Sequence, residues 1–362
     1  MDSMQKRNIG IDLLRIVSMV MVVVLHVLGR GGILYSTAFL STNYNIAWFL
    51  EIAAFCAVNC YALISGFVGI HSNHKASGLM TLWLQVAFYS VLISIVMYFT
   101  HGVIEISDIL KAFFPVSLTK YWYFTAYFAM WFFVPLMNTA INHMSKKQTA
   151  IALLSIGILL IPIELLTKAF DMNGGYGVLW LCYLYLIGAY IGKYELFVGV
   201  SCKKSFLAYF ACIAITFLHK IVANIFWGPG DFFINYMSPF MLIAAISLLI
   251  LFINLQIPTK LTKMITLIGS LSFSVYLIHT HPLIFTHILT DRFSFLVAAN
   301  PFMLIAIVFL ATAGIFIVCA LIDYLRLCLF KALKIRQFFA WIETRITIYL
   351  EKGLQKFFSI KE

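Results

Sequence analysis

The sequence predicts an all-α integral membrane protein, with about ten transmembrane helices in one bundle and a basic amphipathic helix at the C-terminus. Three observations carry this prediction. The chain of 362 residues is 63% hydrophobic and only 11% charged, whereas soluble domains are about a quarter charged. Apolar runs long enough to span a bilayer, which takes about 20 residues, recur along the whole chain. These runs are continuously apolar rather than alternating, which disfavours a β-barrel.

The hydropathy pattern divides the chain into ten candidate spans joined by short connections, without a convincing internal repeat. The first apolar run is too long for a cleavable signal peptide and carries charged residues, so we expect it to remain as a helix. The expected spans are 9–28, 46–70, 79–101, 121–141, 149–166, 176–193, 205–227, 233–254, 265–289 and 299–326. Residues 1–327 are therefore predicted to form one transmembrane domain, and residues 328–362 a cytoplasmic tail.

Basic residues are distributed unevenly between the two sides of the predicted bundle. An even number of spans places both termini on one side, where the N-terminus carries Lys6 and Arg7 and the chain from Arg326 onward carries eight basic residues. The positive-inside rule assigns that side to the cytoplasm. We therefore expect a multi-pass protein of the cell membrane, surrounded by lipid, with both termini cytoplasmic. Basic connections also account for the net charge of +11, so nucleic acid is not an expected partner.

The tail repeats apolar residues at helical spacing, with lysine and arginine on the other face. This pattern predicts an amphipathic helix that lies on the inner leaflet, or alternatively a helix that packs under the bundle. The apolar positions are Ile335, Phe339, Ile342, Ile346, Leu350 and Leu354.

Common catalytic motifs are absent from the sequence. It contains no Gly-rich phosphate loop and no serine nucleophile elbow. The seven cysteines lack metal-ligand spacing with histidine, so no metal is expected. Any chemistry must then come from isolated polar side chains within the spans.

The first span carries Asp12, Arg15 and His26 inside the apolar run GIDLLRIVSMVMVVVLHV. Arg15 and His26 are eleven residues apart, which at about 100° per residue places them on one helical face, with Asp12 beside them. Charged groups cost about 2.5–3.5 kcal/mol each at the centre of a span, so this polar stripe is expected to face protein or water. Such residues are functional candidates by default. The alternative is a structural Asp12–Arg15 pair and a hydrogen-bonded His26.

Glu51 in the second span is expected at nearly the same depth as His26. The first span runs outward, which places Arg15 in the inner half and His26 near the outer mouth, and the second span returns from about Ile46. A carboxylate that orients one imidazole nitrogen leaves the other free as a base. Glu51 is therefore a candidate partner of His26, unless it is simply solvated at the mouth.

Two further segments are expected at the same depth as His26, near the outer surface of the membrane. The fourth span opens with KYWYFTAYFAMWFFVPLMN, in which Trp122 and Tyr123 form either an interfacial aromatic belt or a platform for a sugar ring. The ninth span contains SLSFSVYLIHTHPLIF, with Tyr276 and His279. Two histidines before a proline in an apolar run favour a role at the site, with packing as the alternative. Lys220 in the seventh span is another candidate for a buried cation.

Four segments of the chain resemble, in the same order, segments of the membrane-bound acyltransferase-3 family. The first is GIDLLR with the Arg-x10-His pair of Arg15 and His26, and the second is LISGFVG at 63–69. The others are YWYFTAYFAMWFFVPL in the fourth span and SFSVYLIHTHPL in the ninth. The ten-span count agrees, and the resemblance covers roughly residues 1–330.

The resemblance implies an O-acyltransferase that takes an acyl group, usually acetyl, from cytoplasmic acyl-coenzyme A. The group passes to a hydroxyl of an extracytoplasmic or lipid-linked glycan. His26 would then be the catalytic residue, either as a general base or as a transient acyl carrier. Arg15 would interact with the donor or hold the geometry of the site. The expected donor is acetyl-coenzyme A, and the expected acceptor is a glycan of the cell envelope.

The donor side departs from the family pattern. Many members carry an Arg-x-x-Arg-type cluster just after the second span, whereas this loop reads HSNHKASGLM. Lys75 is the one lysine or arginine in that loop, so Lys75 and Arg15 are the candidates for contact with the donor. Other lysines that could substitute are Lys146, Lys147, Lys203 and Lys204.

A secondary transporter or flippase is the alternative function. Polar residues within the membrane, including Lys220 and His279, would then form a proton relay. The missing inverted repeat counts against it. A third possibility is an assembly or sensor protein with a degenerate site, in which Arg15 and His26 could both be replaced without loss of function.

Overall fold

The computed structural model of the protein describes residues 7–102, 105–228 and 230–359, and the side chains of these residues except 106, 353, 354 and 356–359. Lys6 and Lys361, which contribute to the predicted charge asymmetry, lie outside the described residues, as does the side chain of Leu354. Within the described residues every regular element is a helix. The all-α prediction is therefore confirmed.

The described part of the chain forms fourteen α-helices. They are α1 (Ile9–Gly29), α2 (Thr42–Ala54), α3 (Ala57–Gly69), α4 (Ala76–His101), α5 (Ile106–Lys111), α6 (Trp122–His143), α7 (Lys146–Thr167), α8 (Val178–Lys193), α9 (Cys202–Phe226), α10 (Pro239–Asn254), α11 (Thr262–His279), α12 (Pro282–Ile284), α13 (Pro301–Ala332) and α14 (Ile335–Ser359). Eight stretches, one of which joins α2 and α3, are long and apolar enough to cross a membrane. The protein is therefore a multi-pass membrane protein. The shorter apolar helices α8 and α10, of 16 residues each, occupy the sixth and eighth predicted spans, and their full crossing stays a prediction.

The second predicted span is broken into α2 and α3 between Ala54 and Ala57. The Tyr209 hydroxyl of α9 donates a hydrogen bond to the carbonyl of Ala53 at 2.7 Å. In an uninterrupted helix that carbonyl would accept from the N–H of Ala57. A side chain inserted into the hydrogen-bond ladder is a common cause of helix kinks, so the contact from α9 accounts for the break between α2 and α3.

Glycines bring α3 and α8 into close backbone contact. A Cβ atom added to Gly66 would lie 1.9 Å from the carbonyl oxygen of Tyr185, and one added to Gly188 would lie 2.0 Å from that of Leu63. Small residues allow this approach in membrane bundles, where van der Waals packing drives association. The buried helix α8 thereby holds α3 in place behind the site.

The ninth span ends ten residues earlier than the predicted boundary at 289. Helix α11 stops at His279, and the short helix α12 starts at Pro282, which lacks an N–H and cannot extend the preceding helix. One π-helical turn follows at Phe285–Leu289. The N–H of Asp291 then donates to the carbonyl of Arg30 at 3.0 Å. The chain therefore folds back over the end of α1 instead of continuing outward.

A buried polar network ties α4, α11 and α13 together. The buried carboxylate of Asp323 accepts from the Tyr89 hydroxyl at 2.7 Å and from the Ser274 hydroxyl at 2.5 Å. Arg326 donates to both oxygens of the same carboxylate at 2.8 Å each. Arg326 was counted among the cytoplasmic basic residues, but α13 continues to Ala332 and Asp323 holds the Arg326 guanidinium inside the bundle.

The tail forms α14, which packs against α4. The carboxylate of Glu343 accepts from the backbone N–H of Ala76 at 2.7 Å and of Ser77 at 3.3 Å. It therefore caps the otherwise unsatisfied first turn of α4. This contact agrees with a helix packed under the bundle, although exposed apolar side chains such as Trp341 remain on α14. The division at residue 327 falls inside α13 and stays a prediction.

Candidate functional site

The inner part of the site is built around Asp12, near the start of α1. Its carboxylate is 1% exposed. Arg7 donates to it through Nε at 2.7 Å and Nη2 at 2.9 Å, and Arg15 donates through Nη1 at 2.5 Å. The Asp12–Arg15 pair is therefore present, and Arg7 is a partner that the sequence interpretation missed. Because two guanidinium groups share one carboxylate and the Arg15 side chain is 27% exposed, the cluster can attract a further anion.

One cavity lies beside this cluster, and a second cavity adjoins the first. The larger has a volume of about 720 Å³ and is lined by Arg15 and His71, among others. The smaller has a volume of about 300 Å³, and its lining includes Lys75 and, from the tail helix, Arg336. Ser72 lines both cavities. The structure therefore places Arg15 and Lys75 in adjoining spaces on the side where α1 begins, and adds an arginine from α14.

A chamber of about 40 Å³ lies beside His26, toward the other end of α1. Its aromatic walls come from α3, α6, α11 and the segment before α10: Tyr61, Trp122, Tyr123, Tyr236, Phe273 and Tyr276. Three of the four predicted substrate contacts, Trp122, Tyr123 and Tyr276, are therefore brought together with His26. Trp122 also stacks on Tyr236, with ring centroids 5.9 Å apart and planes 22° apart, so it belongs to this cluster more than to a peripheral belt.

His279, the fourth predicted contact, is hydrogen-bonded to His26. Nδ1 of His26 lies 2.8 Å from Nε2 of His279, and Nδ1 of His279 lies 2.5 Å from the carbonyl oxygen of Val275. A carbonyl can only accept, so Nδ1 of neutral His279 carries the proton and its Nε2 accepts. Nδ1 of His26 must then be the donor. This assignment follows from the network, and it leaves Nε2 of His26 as an unprotonated base.

The π-helical turn after α12 packs on this pair of histidines. The Phe285 ring stands edge-on to the His26 ring, with centroids 4.9 Å apart and an angle of 73°. The Arg30 guanidinium lies 5.7 Å from the centre of the same phenylalanine ring. π-helical turns occur often at functional sites. Here the turn restricts the plane of the His26 imidazole through the edge-on contact of Phe285.

Tyrosines separate the chamber from the inner cavities. Tyr61 lines the chamber, and its hydroxyl donates to the backbone carbonyl of Arg15 at 2.8 Å. Tyr123 lines the chamber and Tyr127 lines the smaller inner cavity, with ring centroids 6.4 Å apart. No described residue lines both the chamber and an inner cavity. We call Tyr61, Tyr123 and Tyr127 the tyrosine partition; it carries hydroxyl groups and is not a purely apolar plug.

Glu51 is buried, but it does not meet His26. Within the described residues His26 is hydrogen-bonded to His279, and Oε2 of Glu51 has no hydrogen-bond partner. The carboxylate of Glu51 instead interacts electrostatically with Asp231, Tyr176 and others. The expected orientation of His26 by Glu51 is therefore absent, because equal depth on two helices does not fix the direction in which a side chain points.

Lys220 is buried, as expected, and is neutralised locally. Its ammonium group is paired with Asp231, donates to the carbonyl of Gly230 at 3.2 Å and lies 3.7 Å from the centre of the Trp48 ring. The hydrogen bonds of His279 go to His26 and Val275. The described contacts therefore do not connect Lys220 and His279 as a proton relay would require.

Other residues of the site gave weak signals in the sequence. Tyr61 and Tyr236 occur in apolar runs where tyrosine is common, and Phe285 follows the proline that ends the ninth span. Arg336 appeared only as one basic residue of an amphipathic tail. Each of these residues joins the site through contacts between distant parts of the chain, which helical periodicity does not encode.

Comparison with known proteins identifies one family. A family model described as an acyltransferase domain matches residues 8–324. This range includes all eight predicted site residues and ends within α13, before α14. No curated protein and no solved structure matches the chain.

Proposed function

We propose, because the chain belongs to acyltransferase family 3, that this membrane acyltransferase moves an acetyl group from cytoplasmic acetyl-coenzyme A to a hydroxyl of a cell-envelope or lipid-linked glycan. One observation carries the proposal. The hydrogen bond from Nδ1 of His26 to His279 leaves Nε2 of His26 as a free base in an aromatic chamber, on the same helix as the cationic Arg15 cluster.

The two inner cavities suit an anionic donor. Coenzyme A carries phosphate groups on a long flexible arm, and guanidinium and ammonium groups bind phosphate through charge-assisted hydrogen bonds. Arg15 faces the larger cavity, and Lys75 and Arg336 face the smaller one. The proposal assigns the phosphates to this region and the acyl end to the tyrosine partition. Lys75 thus takes part of the place of the family's arginine cluster.

The chamber suits attack by an acceptor hydroxyl. Nε2 of His26 takes the proton of the acceptor hydroxyl while the hydroxyl oxygen attacks the thioester carbonyl. The new C–O bond forms, the C–S bond breaks, and the leaving thiolate receives the proton from His26. In the alternative order His26 first accepts the acyl group and then loses it to the hydroxyl. General-base catalysis by a single residue typically contributes about 10²–10⁴-fold.

The same arrangement supports a topology with both termini in the cytoplasm of a cell-membrane protein. Arg15 and Arg336 line two different cavities that share Ser72, and a soluble donor would enter on this side. His26 lies at the far end of α1. An acceptor outside the cytoplasm would therefore approach from the opposite side to the donor.

The direct test replaces His26 by alanine. Purified protein in lipid nanodiscs is incubated with radiolabelled acetyl-coenzyme A and envelope fractions, and label is followed into a base-labile glycan ester. Wild type and a His143→Ala control, whose histidine is exposed at the end of α6, should transfer label, and His26→Ala should lose transfer by at least about 100-fold. Robust transfer by His26→Ala would refute the assignment.

A further inference from the structure

Apart from Oδ1 of Asn43, near the start of α2, two buried polar atoms of this helix lack hydrogen-bond partners. They are Nε1 of Trp48 and Oε2 of Glu51. The two residues are 4% and 7% exposed. They are three positions apart, so their side chains are neighbours on one helical face. One atom is a donor and the other is an acceptor, and neither has a partner in the described part of the chain.

Two buried polar residues of α9 near this pair, Lys220 and Asn224, do find partners. Asn224 donates to the Tyr44 hydroxyl at 2.6 Å and accepts from the N–H of Gly230 at 3.0 Å. Lys220 is satisfied by Asp231 and by the carbonyl of Gly230. A buried polar atom without a partner costs about 1–3 kcal/mol, and native structures keep few of them. Two complementary ones side by side therefore indicate a ligand.

Aromatic rings surround the pair. Tyr35 stands edge-on to Trp48, with centroids 5.9 Å apart, and its side chain is largely exposed. Glu51 interacts electrostatically with the hydroxyls of Tyr176 and Tyr236, whose rings are 4.8 Å apart. Aromatic faces cover the C–H faces of a sugar ring while its hydroxyl groups take the hydrogen bonds. The exposed Tyr35 side chain can rotate on the fast timescale of protein surfaces, and Tyr44 covers another side of Trp48, with ring centroids 6.0 Å apart.

The pair adjoins the reaction chamber. The Phe55 ring, one helical turn after Glu51, lies 5.0 Å from the ring of Tyr236, which forms part of the chamber wall with His26 and Trp122. Tyr176 lies between this wall and the exterior, 40% exposed and 4.5 Å from the Trp122 ring. A molecule that reaches His26 from the outer rim therefore passes the aromatic side chains beside Glu51.

We propose that Trp48 and Glu51 form a subsite that binds a non-reacting hydroxyl of the acceptor while another hydroxyl reaches His26. This inference rests on the proposed function and specifies the acceptor. A hydroxyl group donates to Oε2 of Glu51 and accepts from Nε1–H of Trp48, so one sugar hydroxyl or a vicinal pair satisfies both atoms.

The test compares two acceptors that differ in their hydroxyl groups. The full chain in nanodiscs receives acetyl-coenzyme A with either octyl β-glucoside, below its micellar concentration, or 1-octanol. Trp48→Phe removes the N–H and keeps the ring under Lys220, and Glu51→Gln keeps the shape of the side chain. Trp227→Phe and Glu105→Gln change exposed residues and serve as matched controls.

The subsite predicts a selective loss. In Trp48→Phe and Glu51→Gln the KM for octyl β-glucoside should rise about 10-fold, as expected for a lost hydrogen bond. The KM values for 1-octanol and acetyl-coenzyme A should stay unchanged. An unchanged KM for octyl β-glucoside, or an equal rise for both acceptors, would overturn the inference.

A binding measurement separates this inference from the proposed function. Octyl β-glucoside is titrated into His26→Ala protein, with and without Glu51→Gln, and binding is measured by calorimetry. Binding that weakens about 10-fold with Glu51→Gln supports the subsite even where no transfer occurs. Equal binding by the two proteins would overturn the subsite without affecting the catalytic assignment of His26. Absence of transfer by the wild type would contradict the proposed function alone.

Discussion

Replacement of His279 tests whether the histidine pair sets the tautomer of the catalytic base. In His279→Leu the acceptor for Nδ1–H of His26, now 2.8 Å away, is lost. The imidazole can then move its proton to Nε2, the nitrogen that has to be free, or leave a buried N–H without a partner. Both outcomes weaken the base without removing it.

The magnitude follows from that hydrogen bond. Leaving one partner of a buried hydrogen bond unsatisfied costs about 1–3 kcal/mol. At 1.36 kcal/mol per tenfold in rate, the upper part of this range corresponds to a loss of about 100-fold in kcat. Donor binding at Arg15 lies elsewhere, so the KM for acetyl-coenzyme A should change little. His279→Gln should recover much of the rate, because its Oε1 can accept from Nδ1–H.

The assay is initial-rate transfer from labelled acetyl-coenzyme A in nanodiscs, with thermal unfolding recorded for each variant. A kcat for His279→Leu within about threefold of wild type, at equal stability, would refute the tautomer argument. Equal losses in His279→Leu and His279→Gln would show that the site needs the imidazole itself. In that case a single hydrogen-bond acceptor would not be enough.

Two further predictions concern the inner side. Arg15→Ala should raise the KM for acetyl-coenzyme A about 10-fold, the loss expected for a charge-assisted hydrogen bond. The exposed control Arg292→Ala should leave this KM unchanged. An equal change of KM in both variants would contradict donor binding at Arg15. Hydrogen bonds from the Ser77 hydroxyl and from the N–H groups of Ala76 and Ser77 lower the pKa of Glu343 below its ordinary value. Docking of α14 is therefore complete above about pH 4.3, the ordinary value for Glu, and weakens as the pH falls through the lowered pKa. In the wild type, spin-label distances between α4 and α14 should lengthen in that acid range. In Glu343→Gln these distances should not depend on pH. A distance that stays constant with pH in the wild type would refute the capping role.

Helical periodicity and hydropathy located most of the fold. The first span was expected at 9–28, and α1 is observed at Ile9–Gly29, because a continuous apolar run encodes a helix locally. The break between α2 and α3 could not be found in this way, since it depends on a hydroxyl of α9. Pro282 indicates that α11 ends early, at His279. The predicted span nevertheless continues to residue 289, because the sequence beyond the proline is also apolar.

The sequence predicts the part of the site whose polar residues lie on one helix. Arg15 and His26 share a helix, and their spacing alone indicated a common stripe. The hydrogen bond between His26 and His279 joins residues 253 positions apart, which no local pattern encodes. Glu51 was assigned to His26 from depth alone, but the azimuth of α2 is set by its packing.

The tyrosine partition also bears on the energy supply of the cell. A water-filled channel between the two faces of a bilayer would dissipate the ion gradients, and each elementary charge that moves through 100 mV releases about 2.3 kcal/mol. An enzyme that works from both faces must therefore let a neutral thioester arm through and still insulate against protons and ions. Rings of Tyr61, Tyr123 and Tyr127 that separate only around such an arm would keep the membrane electrically sealed between turnovers.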